Sequence, residues 1–323
     1  MGDEASKHVP ELRAEVVRGS IREALHSAYF AVVDDSGRLL CAAGDPDLVT
    51  TLRSAAKPLQ AVPLTTLPAA RDLDLRDEEL AICCASHPGL PRHAALSASV
   101  LALSGYLPDD LVCGPAGDPP SPLKHGCSGN HAGLLLIARL LNADLHGYDR
   151  QDHPAQTLVA HTIREMAAMP RLHLALDGCG IPTLGLRLRD MARSFAALTR
   201  PSAPWSRIPD VMAALPELIG SEEWIDVRLM QATGGRLVAK TGAEGLLCIG
   251  VRDSGLGLAI KVLDGSTRAI GLLALEALRV AGWIRDNELA SPFLDPHRHP
   301  VLVSSTGVAA GEIRLVDIRD EST

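Results

Sequence analysis

A serine and a lysine three residues apart form the most reactive combination in this sequence. Ser54 and Lys57 lie in the segment LRSAAKPLQ, residues 52–60. In a helix, residues at i and i+3 share a face, so the hydroxyl and the amine would be neighbours among alanine and leucine side chains. Proline is tolerated only in the first turn of a helix, so Pro58 places the helix start near Ser54. The pattern indicates a nucleophile with its own base, and an ordinary amphipathic helix start is the alternative.

Lysine usage favours the chemical interpretation. The chain has only five lysines and carries the rest of its positive charge on arginine. A guanidinium stays protonated in proteins, whereas a desolvated lysine can lose its proton. A lysine kept among apolar residues, as Lys57 is, therefore suits a group that must become neutral.

Composition restricts the class of protein. The chain has 323 residues, of which 46% are hydrophobic and 22% charged, as in a soluble globular protein. The net charge is −8 and no basic run occurs, which disfavours nucleic acid as a partner. Residues 270–284 form the longest apolar stretch, but Glu276 and Arg279 interrupt it, so we expect no membrane span.

The N-terminus and the cysteines both indicate a cytoplasmic protein. The first residues contain neither a basic start nor an apolar run, so no signal peptide is expected. The seven cysteines are an odd number and are scattered, unlike a disulfide framework. A reducing compartment is therefore the expected location.

The hydrophobic pattern predicts one α+β (α/β) domain over residues 1–323. Strands are predicted near residues 14–17, 29–33 and 38–43, helical patterns dominate from residue 53 to about 225, and a three-strand meander occupies 236–263. A long helix is predicted over 266–281. Consecutive strands tend to be neighbours, so we expect a five-stranded antiparallel sheet flanked by helices. The sheet lobe would take residues 14–52 and 234–323, with a helical lobe of residues 53–233 inserted.

Two further short motifs follow the Ser54 and Lys57 motif along the chain. Ser128-Gly129-Asn130 lies in a glycine-rich turn before a helix, and Lys240-Thr241-Gly242 closes the first meander strand. With the first motif they give S-x-x-K, S-x-N and K-T-G, which resembles the serine β-lactamases and penicillin-binding proteins. Acyl transfer needs a nucleophile, a base, a proton route and donors for an oxyanion. The alternatives are a solvent-facing lysine at a strand end and a loop that satisfies its own backbone.

Five longer sequence segments resemble the asparaginase II family, which shares the β-lactamase-like fold. They occur in family order and the match runs from about residue 15 to 285: RSAAKPLQA at 53–61, ASHPG at 85–89, CSGNHAG at 127–133, DGCGIPT at 177–183 and AKTGAEG at 239–245. The resemblance implies two catalytic pairs, Ser54 with Lys57 and Ser86 with Lys240. Without it, the favoured interpretation of Ser86 is a serine that caps a tight turn.

The neighbours of these residues are candidates for binding the substrate. They are Arg53, His87, Ser128 and Asn130. Arg53 directly precedes Ser54 in the sequence. Its guanidinium could bind a substrate carboxylate or an acidic side chain on the protein surface. In the interpretation without the resemblance, in which Ser86 caps a turn, His87 is expected to be partly exposed.

The resemblance also implies a zinc ion beside the active site. Its ligands would match Cys127, Asp177 and Cys179, but the family usually has a further lysine ligand where this chain has Asn130. Two thiolates and a carboxylate with water could still hold Zn²⁺, more weakly than a full protein cage. The same change removes a positive charge from the substrate pocket, which favours a larger or less anionic amide than free asparagine.

Together these features predict a cytoplasmic amidohydrolase of the L-asparaginase type. The expected partner is a small-molecule amide, no organic cofactor is implied, and a homodimer is expected. A serine amidase or acyltransferase acting on another amide is the alternative within the enzymes. A non-catalytic protein that binds a small molecule or a metal is the alternative outside them.

Overall fold

The computed structural model describes residues 6–144, 146–170 and 173–316. In that part of the chain the strands are β1 (Lys7–Val9), β2 (Leu12–Arg18), β3 (Ile21–Asp34), β4 (Leu39–Ala43), β5 (Val49–Thr51), β6 (His173–Leu176), β7 (Pro182–Arg187), β8 (Leu237–Gly242), β9 (Leu246–Val251), β10 (Leu256–Val262), β11 (Val301–Val303) and β12 (Ala309–Leu315).

The helices of the same residues are α1 (Lys57–Gln60), α2 (Pro63–Thr66), α3 (Asp77–Cys83), α4 (Pro91–Ser104), α5 (Ser128–Leu140), α6 (Pro154–Ala167), α7 (Leu188–Leu198), α8 (Arg207–Ala214), α9 (Pro216–Ile219), α10 (Ile225–Ala232), α11 (Ile270–Ala281), α12 (Asp286–Leu289) and α13 (Asp295–Arg298). A 3-10 helix, Arg53–Ala56, leads directly into α1. None of these helices is long and apolar enough to cross a membrane.

The main sheet is larger than the sequence predicts. Its order is β11-β12-β2-β3-β10-β9-β8, with β4 paired to β3 and β1 paired to β4. The pairs along the main path are antiparallel, and β1 with β4 is the parallel exception. The prediction of an antiparallel sheet flanked by helices, with a helical part inserted between its strands, is confirmed. The prediction of five strands is wrong, because the N-terminal part contributes three separate strands, β2, β3 and β4, and the C-terminal hairpin β11–β12 and the short β1 extend the sheet to nine strands among the described residues.

Alternating side chains on the central strands build a core on each face of the main sheet. Phe30 and Val32 belong to one core, with α10 and α11, whereas Ala31 and Val33 belong to the other, with α7 and the inserted helices. A methyl group at Gly257 would overlap the Ala192 carbonyl of α7, so glycine is needed where this helix approaches the sheet. The sheet thus lies between two helical layers.

Strands also occur inside the part predicted to be helical. β5, β7 and β6 form a small antiparallel sheet in that order. Its β7 carbonyl at Leu184 accepts a hydrogen bond from the Leu52 amide, just before the 3-10 helix. This sheet therefore fixes where the Ser54 segment begins, and β8, at the end of the main sheet, packs against the same 3-10 helix.

Candidate active site

A cleft of about 510 Å³ lies where the inserted helices meet the β8 end of the main sheet. Ser54 and Ser86 both line it, together with Thr241, Gly242 and Ala243 at the end of β8. The cleft therefore joins parts of the chain that are almost 190 positions apart. Clefts of this size, with a few convergent polar groups, are the usual form of small-molecule sites.

Ser54, which lines the cleft, has both a hydroxyl and an amide without a hydrogen-bond partner among the described residues. Arg53, the residue before it, has a φ of +48°, a left-handed conformation that is costly for a side chain other than glycine. Among the hydrogen bonds of the described residues, none is donated by the Ser54 amide or made by its hydroxyl. The Ala243 amide across the cleft also donates none of them. Two free amides near a serine hydroxyl are suited to stabilise an oxyanion.

Lys57 is buried behind the two serines, with 3% of its surface exposed. Its Nζ donates to the Ala85 carbonyl at 2.8 Å and to Ser86 Oγ at 2.9 Å, and it lies 3.3 Å from Cys127 Sγ. The lysine amine is therefore held by a carbonyl and faces a hydroxyl, as a base oriented for a serine requires.

Ser86 follows α3 and is fixed at both of its polar groups. Its amide donates to the Ile219 carbonyl at 2.9 Å, and its hydroxyl accepts from Lys57. The resemblance paired Ser54 with Lys57 and Ser86 with Lys240, whereas the hydrogen bond in the structure joins Lys57 to Ser86. The two serines therefore differ. The amide and the hydroxyl of Ser86 both make hydrogen bonds, whereas those of Ser54 make none among the described residues.

Lys240 lies beneath the cleft, fully buried, with an aspartate. Its Nζ is 3.3 Å from Asp226 Oδ2, and the same oxygen accepts from the Thr241 amide at 2.9 Å and from the Thr241 hydroxyl at 2.6 Å. Burial lowers the pKa of Lys240, while the charge of Asp226 opposes that effect. The alternative of a lysine reaching solvent from a strand end is therefore wrong, because a buried carboxylate holds this amine under the sheet.

Replacing Asp226 with asparagine is expected to destabilise the protein by about 3 kcal/mol, because it leaves the Lys240 ammonium buried without a counter-charge. Asp210 offers a matched control, since it pairs with Arg252 while its side chain is 55% exposed. Asp210→Asn should cost less than about 1 kcal/mol. Urea unfolding of both variants measures the difference, and equal losses would show that the buried pair contributes no more than a surface pair.

A second, much smaller cavity lies on the other side of Ser54. It has about 10 Å³ of room, enough for one water-sized group, and its polar lining includes Ser54, Arg53, Lys57 and Asn130. Asn130 is buried, its Nδ2 donates to Gln60 Oε1 at 3.0 Å, and its Oδ1 has no partner among the described residues. Ser54 thus separates a narrow polar cavity from the wide cleft.

Comparison with known proteins identifies the family to which this chain belongs. The family model described as L-asparaginase II matches residues 14–315, which is most of the chain. The chain belongs to the asparaginase II family. Membership supports a hydrolase that acts on amides, and it agrees with a small-molecule amide as the partner. A search of curated proteins found no match.

Several solved structures are also similar. A penicillin-binding protein homologue from Pyrococcus abyssi is 14% identical, with a TM-score of 0.42, over 90% of this chain and 84% of that one. A Bacillus glutaminase is 14% identical, with a TM-score of 0.34, over 79% and 91%. A protein titled Mglu is 15% identical, with a TM-score of 0.37, over 80% of this chain and 61% of its own length, so the chain spans about three fifths of that protein.

The zinc ligands that the asparaginase II family implies already have partners in this chain. Asp177 Oδ2 accepts from Arg53 Nε at 2.8 Å, so Arg53 holds an acid of its own chain. The Cys179 thiol donates to Cys127, which, with the nearby Lys57 charge, holds the pKa of Cys127 far below its usual range. The same hydrogen bond raises the pKa of Cys179.

These partners do not fit a zinc ion. Within the described ranges, no three Cys, His, Asp or Glu side chains are arranged to hold a metal. A cation in the narrow cavity would also face both Arg53 and Lys57. Zinc binding stays a prediction, which elemental analysis of the wild type and of Cys179→Ser would test; the homodimer and the cytoplasmic location stay predictions too.

His87 and Ser128 lie behind the cleft rather than in it. His87 is only 4% exposed and stacks on His93, so the expectation of partial exposure is wrong. The Gly89 amide donates to His87 Nδ1 at 3.2 Å, so Nε2 carries the proton and donates to Ser128 Oγ at 3.1 Å. Ser128 is fully buried and also bonds Ser97. The two residues therefore support the loop after Ser86 and line neither cavity.

His87 should make the protein sensitive to acid. Burial lowers the pKa of His87 to about 3, from an ordinary 6.5. Between these values the unfolded chain binds a proton that the folded chain does not, so stability falls as pH decreases, by up to about 1.4 kcal/mol per pH unit. His87→Gln should make the decline between pH 6.5 and 4 shallower in urea unfolding, and the exposed His173→Gln should not. Parallel curves for wild type and His87→Gln would contradict this assignment.

Sequence reasoning missed several residues of the site. Asp226 lies in the amphipathic α10, where an acid normally faces solvent, and nothing local shows that it faces Lys240. Trp224 and Arg268 line the cleft from segments that were assigned no role. The K-T-G motif contained one usable signal, since Thr241 and Gly242 do line the cleft.

Proposed function

We propose that the protein hydrolyses a side-chain or related amide through an acyl-enzyme on Ser54. The observation that carries this proposal is the contrast between the serines: the Ser54 amide is free to stabilise an oxyanion, whereas the Ser86 amide donates to Ile219. A nucleophile whose own amide faces the reacting carbonyl is the arrangement that acyl transfer favours. The amide of L-asparagine, giving L-aspartate and ammonia, is the first substrate to test.

In the proposed proton route Lys57 is the base for Ser54, although in the structure its Nζ contacts Ser86 Oγ rather than Ser54 Oγ. The Lys57 amine, in its neutral form, accepts the Ser54 proton while Ser54 Oγ attacks the carbonyl carbon. The proton then passes to the leaving nitrogen, with Ser86 as the hydroxyl that Lys57 already holds. Water next attacks the ester and restores Ser54. Lys240 and Asp226 position Thr241 under the substrate.

A burst experiment tests the acyl-enzyme without assuming a substrate. Activated esters such as p-nitrophenyl acetate acylate serine hydrolases readily, and slow deacylation gives an initial burst of product. We expect a burst of p-nitrophenol that is stoichiometric with the protein and absent in Ser54→Ala. The absence of any burst or turnover in the wild type, with esters and amides alike, would favour a non-catalytic binding protein.

A further inference from the structure

The cleft is larger than free asparagine requires. Its volume of about 510 Å³ lies in the range of about 300–1,000 Å³ that buries drug-sized ligands. On the other side of Ser54 the narrow cavity has room for one water, and its Arg53 is engaged by Asp177. The groups attached to the reacting carbonyl must therefore lie in the wide cleft.

One wall of the cleft is apolar. Trp224, Ile225, Leu246 and Ile270 line it, and Trp224 is 41% exposed. Covering apolar surface stabilises a complex by about 25 cal/mol per Å². Free asparagine is polar at both ends and has no group to cover this wall. A substrate with an apolar side chain would use it.

The rim of the cleft carries an arginine that no acid contacts directly among the described residues. Arg268 is exposed and its Nε donates to His26 Nε2 at 3.0 Å. The other nitrogen of that ring, Nδ1, lies 2.6 Å from Asp264 Oδ2, so the nearest acid is one residue removed, and no carboxylate pairs directly with Arg268 in the described part of the chain. Glu223 also lines the cleft and has no basic partner among those residues. A ligand carboxylate would be attracted by Arg268 and repelled by Glu223, which fixes its direction.

Resting on the acyl-enzyme function proposed above, we propose that the preferred substrate is an N-acylated apolar amino acid. Its side chain packs on Trp224, and its carboxylate binds Arg268. Ser54 Oγ bonds to the acyl carbon as the C–N bond breaks, and the hydroxyl proton passes through Lys57 to the nitrogen of the departing amino acid. Water then supplies hydroxide to the acyl carbon, and its other proton restores the Ser54 hydroxyl.

Four substrates and two variants test this proposal. The substrates are p-nitrophenyl acetate, L-asparagine, N-acetyl-L-phenylalanine and N-acetyl-2-phenylethylamine, which lacks the carboxylate. We expect kcat/KM for N-acetyl-L-phenylalanine to exceed the values for both other amides by at least about tenfold. Arg268→Gln should lose most of the preference for the carboxylate. Arg193→Gln is the matched control, because Arg193 also has no acid partner in the described residues and lines a different cavity.

The outcomes separate the substrate from the function. If p-nitrophenyl acetate produces no burst and no amide is hydrolysed, the acyl-enzyme function itself fails. If the burst occurs but L-asparagine is hydrolysed as well as N-acetyl-L-phenylalanine, the function stands and the proposed substrate class is overturned. An Arg268→Gln variant that keeps its full preference for the carboxylate would overturn the role of Arg268.

Discussion

Replacing Ser54 with alanine is expected to lower kcat/KM for amide hydrolysis at least about 10³-fold, because it removes the attacking oxygen. The fold should be intact, since the Ser54 hydroxyl makes no hydrogen bond among the described residues. The free energy of unfolding should therefore change by less than about 0.5 kcal/mol. Steady-state kinetics and urea unfolding of the same preparation measure both effects.

Ser86→Ala is the matched control for that variant. It removes the hydroxyl that Lys57 holds and leaves Ser54 in place, so a smaller loss of about 10²-fold is expected. The reverse result, in which Ser54→Ala remains active and Ser86→Ala loses its activity, would make Ser86 the nucleophile.

Lys57→Arg is expected to be as damaging as Lys57→Ala, with each lowering kcat about 10²- to 10⁴-fold. Arginine keeps the positive charge but cannot release a proton, so it cannot serve as the base. A purely electrostatic role would instead let Lys57→Arg retain most of the rate. The two variants therefore separate a base from a fixed cation.

A second buried lysine controls for the size of arginine. Lys261 is 8% exposed and donates to the Glu244 carbonyl at 2.7 Å, but it does not line the cleft. Lys261→Arg should show what a buried guanidinium costs in unfolding free energy, with little loss of kcat. Near-normal turnover by Lys57→Arg, at a stability similar to that of Lys261→Arg, would contradict the role of base.

Local patterns predicted the parts of the fold whose contacts are local. The meander of β8, β9 and β10 was visible because each strand is a short apolar run bounded by glycine turns. The hairpin β11–β12 was not, because its strands are largely exposed and lack a strong alternation of apolar and polar residues. β6 is likewise exposed at all four residues, so no buried face marks it as a strand.

The candidate site, too, could be predicted from the sequence only where its contacts are local. The spacing of Ser54 and Lys57 predicted a helical segment, and the two residues do lie in a 3-10 helix and the α1 that follows it, but only Ser54 lines the cleft and the Lys57 amine contacts Ser86 instead of Ser54. Which hydroxyl the Lys57 amine contacts depends on how α3 packs, and no spacing within one helix carries that information. The Asp226 to Lys240 pair is equally non-local, because it joins α10 to β8. Asn130 was recognised as a departure from the family, but its hydrogen bond to Gln60 became visible only in the fold.

The most direct test of the acyl-enzyme on Ser54 is to locate the acyl group. Protein reacted with p-nitrophenyl acetate and quenched in acid should gain one acetyl group per chain, and peptide mass spectrometry should place it on Ser54. Ser86→Ala should still be labelled at Ser54, whereas Ser54→Ala should not be labelled. An acetyl group on Ser86, or stoichiometric labelling that persists in Ser54→Ala, would contradict the proposed nucleophile.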